Sequence, residues 1–178
     1  IEIIIVDNVS DDDIYPQRGT KGTTSYLFGR GAYWSGKLRI VYQPISGHFL
    51  SRDKGAELAT GEYLFFSDAH MAYKPGFFKY LMKTVDETGG MVHGGIAWMG
   101  AYPPYYNTGE PHGVGFGYSL KIVEEWKGNW NNYFVSKDDW FYIPSLGHCA
   151  VMMKRKQFFE FGGYPRIHRC YGGGEVYL

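Results

Sequence analysis

Residues 64–71 read LFFSDAHM: an apolar run, an aspartate, one small residue and a histidine. The apolar letters fit a strand buried on both faces, and Asp68 and His70 fall where it ends. In extended backbone, side chains two apart share a face, so this carboxylate and imidazole can converge on one ion. Oxygen plus one imidazole suits Mn2+. Mg2+ favours an all-oxygen shell, and Zn2+ favours more nitrogen or sulfur. A lone DxH is a short pattern, and the plainer reading is a turn in which Asp68 caps the next element and His70 is incidental. The surrounding chain decides between them.

Before the octet, FLSRDKGAELATG (49–61) predicts a helix, with small Ala56 and Ala59 allowing close packing and Gly61 as its stop. EYLFFSD (62–68) is nearly all apolar and reads as a central strand. Further upstream, KLRIVYQ (37–43) and EIIIV (2–6) predict strands, the latter running into the acidic, turn-rich DNVSDDD. Residues 14–36 are interrupted by glycines and read as a loop with a helical turn or two near Ser25 to Ala32. After the octet, Pro75 suits a first helical position. Phe77, Phe78, Leu81, Met82 and Val85 then recur at helical spacing until Gly89-Gly90, and MVHGGIAWM (91–99) is a further strand. This alternation predicts a three-layer α/β sandwich with a mainly parallel central sheet. Residues 101–117 form a long Pro/Gly/Tyr loop, 118–143 hold short strands, 145–155 a strand and 156–164 a short helix capped by glycine. No repeat or linker divides the chain.

With 18 basic and 18 acidic side chains in 178 residues, the net charge is zero, which gives no electrostatic case for nucleic acid or an acidic membrane. The apolar runs fall short of the roughly 20 residues a transmembrane helix needs. IEIIIVD opens directly on a strand, with no methionine or signal peptide, so the sequence reads as an internal piece; the lack of a signal or membrane segment favours a cytoplasmic setting without fixing it. Cys149 and Cys170 form no metal array, and whether they pair is open. Aromatic residues make 19% of the chain and crowd after residue 98. Trp98, Tyr102, Tyr105, Tyr106, Trp126, Trp130 and Trp140 are candidates for the walls of a cleft, because rings stack on sugar faces. Among the histidines outside the octet, His148 is the one to watch.

IIIVDNVSDD, SRDKGAELATGEYLFFSDAHM, FFEFGGYP and YGGGEVYL, in that order and spacing, resemble the nucleotide-sugar-dependent glycosyltransferases of the GT-A fold. The resemblance spans nearly the whole chain. VDN and GAELATGEY look like family 2 enzymes, whereas DAH and GGGE look like the polypeptide N-acetylgalactosaminyltransferases. It implies a GT-A-like, Rossmann-related catalytic domain over residues 1–178 that lacks the fold's first strand. Residues 1–99 would be the nucleotide-sugar-binding half and residues 100–178 the acceptor-binding half.

Carried over by position, Asp7 and Asn8 match the acidic pair that contacts the uracil or ribose. Asn8 stands where many members have aspartate, but an amide still pairs with a base edge. Arg52 matches a basic position near the nucleotide or its phosphates, and a surface helix arginine is an equal alternative. Asp68 and His70 match the metal ligands, with Asp68 also at the donor nucleotide. Mn2+ is implied, with Mg2+ as the substitute. A third ligand of the N-acetylgalactosaminyl group lies beyond the acidic motif and past Leu178. Glu175 matches the glutamate of the GGE motif and is the candidate catalytic base. Val176 stands where inverting family 2 enzymes carry the usual base, so inversion and retention both stay open.

The activity implied is metal-dependent transfer of a hexosyl or N-acetylhexosaminyl group. It would pass from a nucleotide-diphosphate donor, a UDP-sugar, to the hydroxyl of a carbohydrate, peptide or lipid-linked acceptor. The rival from another class is a non-catalytic nucleotide- or carbohydrate-binding module derived from such an enzyme. A metal-dependent phosphohydrolase would need more carboxylates or histidines at other strand ends than the sequence offers.

Overall fold

The computed structural model describes residues 1–8, 36–45, 47–68, 71–94, 140, 142 and 149–164, and the backbone alone at 118–120 and 128–130. In chain order the elements are β1 (Ile3–Asn8), β2 (Leu38–Gln43), α1 (His48–Leu58), β3 (Tyr63–Ser67), α2 (Phe77–Thr88), β4 (Val92–His93), β5 (Tyr118–Leu120), β6 (Gly128–Trp130), β7 (Ala150–Lys154) and α3 (Arg155–Glu160). The chain divides into two compact units, Ile1–Leu64 with Arg155–Leu178, and Phe65–Lys154.

In the first unit β1 and β2 pair in parallel, from Ile3 opposite Leu38 to Asn8 opposite Gln43. The sequence places the end of the first strand at Val6, but the ladder carries on through Asp7 and Asn8, because β2 supplies partners for both. β1 is also less buried than its apolar letters suggest: Ile3 is 52% exposed, and none of residues 3–8 is fully buried. Helix α1 packs on β1, where Gly55 brings the helix backbone close to Val6. Its buried residues are Phe49 and Ala56. The helix ends at Leu58, short of Gly61, with Ala59 already extended.

The cause of that early stop is Glu2. Its Oε1 accepts from the Thr60 amide at 2.6 Å, the Gly61 amide at 3.0 Å and the Thr60 hydroxyl at 3.0 Å. Its Oε2 meets the Arg39 guanidinium at 3.0 Å, which also donates to the carbonyl of Leu58. One carboxylate thus takes up amides that a longer helix would have turned inward, and ties β1, β2 and the end of α1 together.

Beyond α3, Gly163 donates to the carbonyl of Phe158 at 3.0 Å and Gly162 to that of Phe159 at 3.1 Å. Both glycines have positive φ, 89° and 71° in chain order, closing the helix as glycine C-caps do. The turn delivers Tyr164 into the core, where its ring stacks on Phe49 at 5.0 Å and its amide donates to Asp53 Oδ1 at 2.9 Å. Among the described residues of this unit, Phe49, Phe158 and Tyr164 are the largest fully buried side chains. Burying such a ring contributes about 1.5–3 kcal/mol, and a stacked pair adds about 0.5–1.5 kcal/mol.

A three-stranded sheet has the order β3-β7-β4, with β4 antiparallel to β7; β4, β7 and β3 from Phe65 onward belong to the second unit. The sequence expects β3 to be central; among the described pairings the middle strand is β7, whose AVMM is buried throughout. The parallel pairing expected of the sheet is present in β1–β2, while the ladders β4–β7 and β5–β6 are antiparallel. Helix α2 covers β7 and β4 and buries Leu81 and Val85 one turn apart. It starts after Gly76 as N-cap and not at Pro75, which lies in the preceding turn, and it ends at Gly89.

Glu2→Gln should lower stability by about 1–2 kcal/mol in urea denaturation at neutral pH, because the three donors then meet a neutral acceptor. The hydrogen bond from the Thr60 amide, foremost, holds the Glu2 carboxyl below its ordinary 4.5. Its contribution is therefore fully present above about pH 4.5 and lost as pH falls through the lowered value. The acid limb of the stability curve should flatten in the variant; parallel curves would contradict this. Gly163→Ala should cost about 1–3 kcal/mol, since the residue has positive φ and its new Cβ would lie 3.0 Å from Asp53 Oδ1. Gly162→Ala has open space around its Cβ, and the same denaturation series should show it costing less.

Candidate active site

At the carboxyl end of the parallel β1–β2 pair stand Asp7 and Asn8. Asn8 does not project as a bare loop residue. Its Oδ1 accepts from the amide of Gly47 at 3.1 Å, and Gly47 is the N-cap of α1, with no side-chain cap of its own. A donor amide demands an acceptor, so the amide oxygen is the atom facing Gly47. The neighbouring strand end is tied to the same turn, because Gln43 Nε2 donates to the carbonyl of Ile45 at 3.0 Å and to Ser51 Oγ at 3.3 Å. These bonds hold the last residues of both strands against the first turn of the helix that carries Arg52. Asp7, Asn8 and Arg52 thus belong to one β1–α1 arrangement, each partly buried.

Sequence reasoning missed Asp53, the neighbour of Arg52, whose carboxylate anchors the GGY turn through Tyr164. The local letters carry no sign of this, because the partners are 111 residues apart.

Asp68 belongs to the second unit, directly after β3. Its amide donates to the carbonyl of Cys149 at 3.1 Å, and its own carbonyl accepts from Ser67 Oγ at 2.7 Å. Ser67 Oγ also contacts the hydroxyl of Tyr73. Serine has one proton, and it is given to Asp68, so Tyr73 is the donor in that second bond. Burial, foremost, raises the Tyr73 phenol above its ordinary 10, and the charges of Cys149 and Asp68 add to it. Tyr73 in turn stacks on Phe77 at 5.0 Å and meets Phe65 edge-on at 5.3 Å. Phe65 meets Phe78 edge-on at 5.0 Å, so the strand end rests on an aromatic cluster. On the far side of β7, His93 Nε2 lies 3.6 Å from Cys149 Sγ. Burial pushes the imidazole down to about 4, so His93 is neutral at physiological pH.

His70 and Glu175 lie outside the described residues, as do Trp98, Tyr102, Tyr105, Tyr106, Trp126 and His148. Trp130 is described only as backbone in β6. Trp140 is described and meets the ring of Tyr142 edge-on at 5.2 Å, with Tyr142 82% exposed. Among the described residues no three His, Cys, Asp or Glu side chains form a metal group. The donor chemistry still fits a divalent ion at Asp68: a partly exposed carboxylate at a strand end, with the backbone amide and carbonyl of the residue both hydrogen-bonded, offers oxygen to a hard cation. No described helix is long and apolar enough to cross a membrane.

The sequence pattern of glycosyl transferase family 2 matches residues 1–158. A putative polypeptide N-acetylgalactosaminyltransferase 13 of Drosophila melanogaster is 24% identical over 184 residues, covering 99% of this chain and 32% of that protein. A crystal structure of GalNAc-T7 with UDP, GalNAc and Mn2+ superposes with a TM-score of 0.65 at 16% identity, covering 98% of this chain and 33% of that one. The chain spans about a third of the length of these relatives. It belongs to glycosyl transferase family 2 and has the GT-A fold.

Proposed function

We propose that the chain forms the donor-binding and catalytic part of a glycosyltransferase that moves a sugar from a UDP-sugar to an acceptor hydroxyl. The observation that carries this reading is the parallel β1–β2 pair, whose carboxyl ends hold Asp7 and Asn8 against the first turn of α1. In open α/β sheets, nucleotides bind outside the carboxyl ends of the strands. The family match and the UDP in the GalNAc-T7 structure support uridine as the base, and the GalNAc there supports an N-acetylhexosaminyl donor.

In this reading Asp7 and Asn8 hold the base and ribose, the Asn8 NH2 donating to a base carbonyl while its oxygen caps α1. Arg52 lies toward the phosphates, where a guanidinium offsets their charge. Residues 1–99 supply the donor half and residues 100–178 the acceptor half. Asp68 and His70 would hold a divalent ion, Mn2+ by preference and Mg2+ as substitute, whose charge would offset that of the departing diphosphate. The acceptor oxygen forms a bond to the anomeric carbon while the bond from that carbon to phosphate oxygen breaks, its electron pair leaving with UDP. The acceptor proton goes to Glu175 if configuration inverts, or to a phosphate oxygen if it is retained. Carbohydrate, peptide and lipid-linked hydroxyls all satisfy this chemistry.

Asp68→Ala should abolish the Mn2+-dependent part of UDP binding in calorimetry while the protein stays folded; unchanged affinity would refute the metal role. Glu175→Gln should reduce sugar transfer at least tenfold more than hydrolysis of the donor, on the order expected of a lost general base. Equal losses in both reactions would exclude Glu175 as the group acting on the acceptor.

A further inference from the structure

The Cys149 carbonyl that takes the Asp68 amide is the last residue before β7, at the margin of the β4–β7 ladder. The register there ends with His93 opposite Val151, and the next backbone bond, from Gly94 to the carbonyl of Ala150, is long at 3.4 Å. At that margin a side-chain contact takes over: His93 Nε2 lies 3.6 Å from Cys149 Sγ, within reach of the weak hydrogen bond a thiol makes. A continuous path therefore runs from β4 through thiol, Cys149 backbone and hydrogen bond to the peptide of Asp68. On the other side of the Asp68 Cα, the carbonyl accepts from Ser67, which Tyr73 braces.

We infer that His93, acting through Cys149, is a positioning residue that fixes the Asp68 carboxylate for the divalent ion of the donor site. This rests on the reading that Asp68 holds that ion. Groups that orient a metal ligand without touching the metal typically change metal affinity about 10–100-fold when removed, because a carboxylate free to shift must be reordered whenever the ion binds. The pair needs only that the ring remain neutral and in place. Its burial keeps the imidazole uncharged at working pH.

UDP is titrated by calorimetry, with and without Mn2+, into the full chain and its His93→Phe, His93→Gln and Cys149→Ala forms. Phenylalanine keeps most of the ring volume and removes the nitrogen, whereas glutamine restores a polar atom able to donate or accept. The Kd measured with Mn2+ should rise about tenfold in His93→Phe and in Cys149→Ala, recover most of the way in His93→Gln, and stay at the wild-type value in every form when Mn2+ is absent. A folded His93→Phe or Cys149→Ala protein with the wild-type Mn2+ dependence overturns the inference. So does an equal loss with and without the ion, which marks a purely structural contact. Wild-type binding that ignores Mn2+ overturns the metal reading itself, and the wild-type titration alone reports it.

Discussion

The hydrogen bond from the Asp68 amide to the carbonyl of Cys149 fixes where β3 stops and hence where its carboxylate stands. What ends the strand is a set of polar partners: Cys149 takes the amide, Ser67 gives to the carbonyl, and Tyr73 gives to Ser67. Backbone groups leaving a sheet must find such partners or lose the free energy of a hydrogen bond. A carboxylate whose backbone is pinned on both sides of its Cα loses less freedom when it meets a cation, so the termination of the strand and the restraint on this carboxylate have one cause.

The first unit follows the same rule at each of its exits. Glu2 gathers the amides after α1, Asn8 takes the amide at its start, and Asp53 takes the amide of Tyr164 after the glycine turn. All three are side chains of distant segments standing in for missing local caps. The apolar core beneath them, built on Phe49, Phe158 and Tyr164, supplies the bulk of the cohesion but no direction. The polar ties set the direction, and they hold the carboxyl ends of β1 and β2 against the first turn of α1.

Much of this was legible from the letters, and the part that was not has a physical reason. LFFSD announces its strand because a buried strand has to be apolar, and FFKYLMKTV announces α2 because its apolar residues recur at the helical period. Asp68 stands out as the first charged letter after such a run. The extension of β1 through Asp7 and Asn8 was hidden, since pairing in a parallel ladder is decided by β2 and not by the polarity of those two residues. The stop of α1 at Leu58 was hidden because Glu2, which takes the Thr60 amide, lies 58 residues earlier. The central role of β7 over β3 depends on pairing order, to which hydrophobicity is blind when both strands are apolar. Of the candidate site, Asp7, Asn8 and Arg52 emerge on one strand–helix arrangement and Asp68 on a braced strand end, whereas His70 and Glu175 fall outside the described residues.

The role proposed for Asp68 is to bring a divalent ion to a uridine diphosphate. It is tested most directly by a crystal grown with UDP and Mn2+, with data collected at the manganese absorption edge. One anomalous peak is expected in direct coordination with the Asp68 carboxylate and the diphosphate, with the His70 imidazole in the same shell. A diphosphate bound with no manganese at Asp68, or a manganese peak remote from it, would rule out that role.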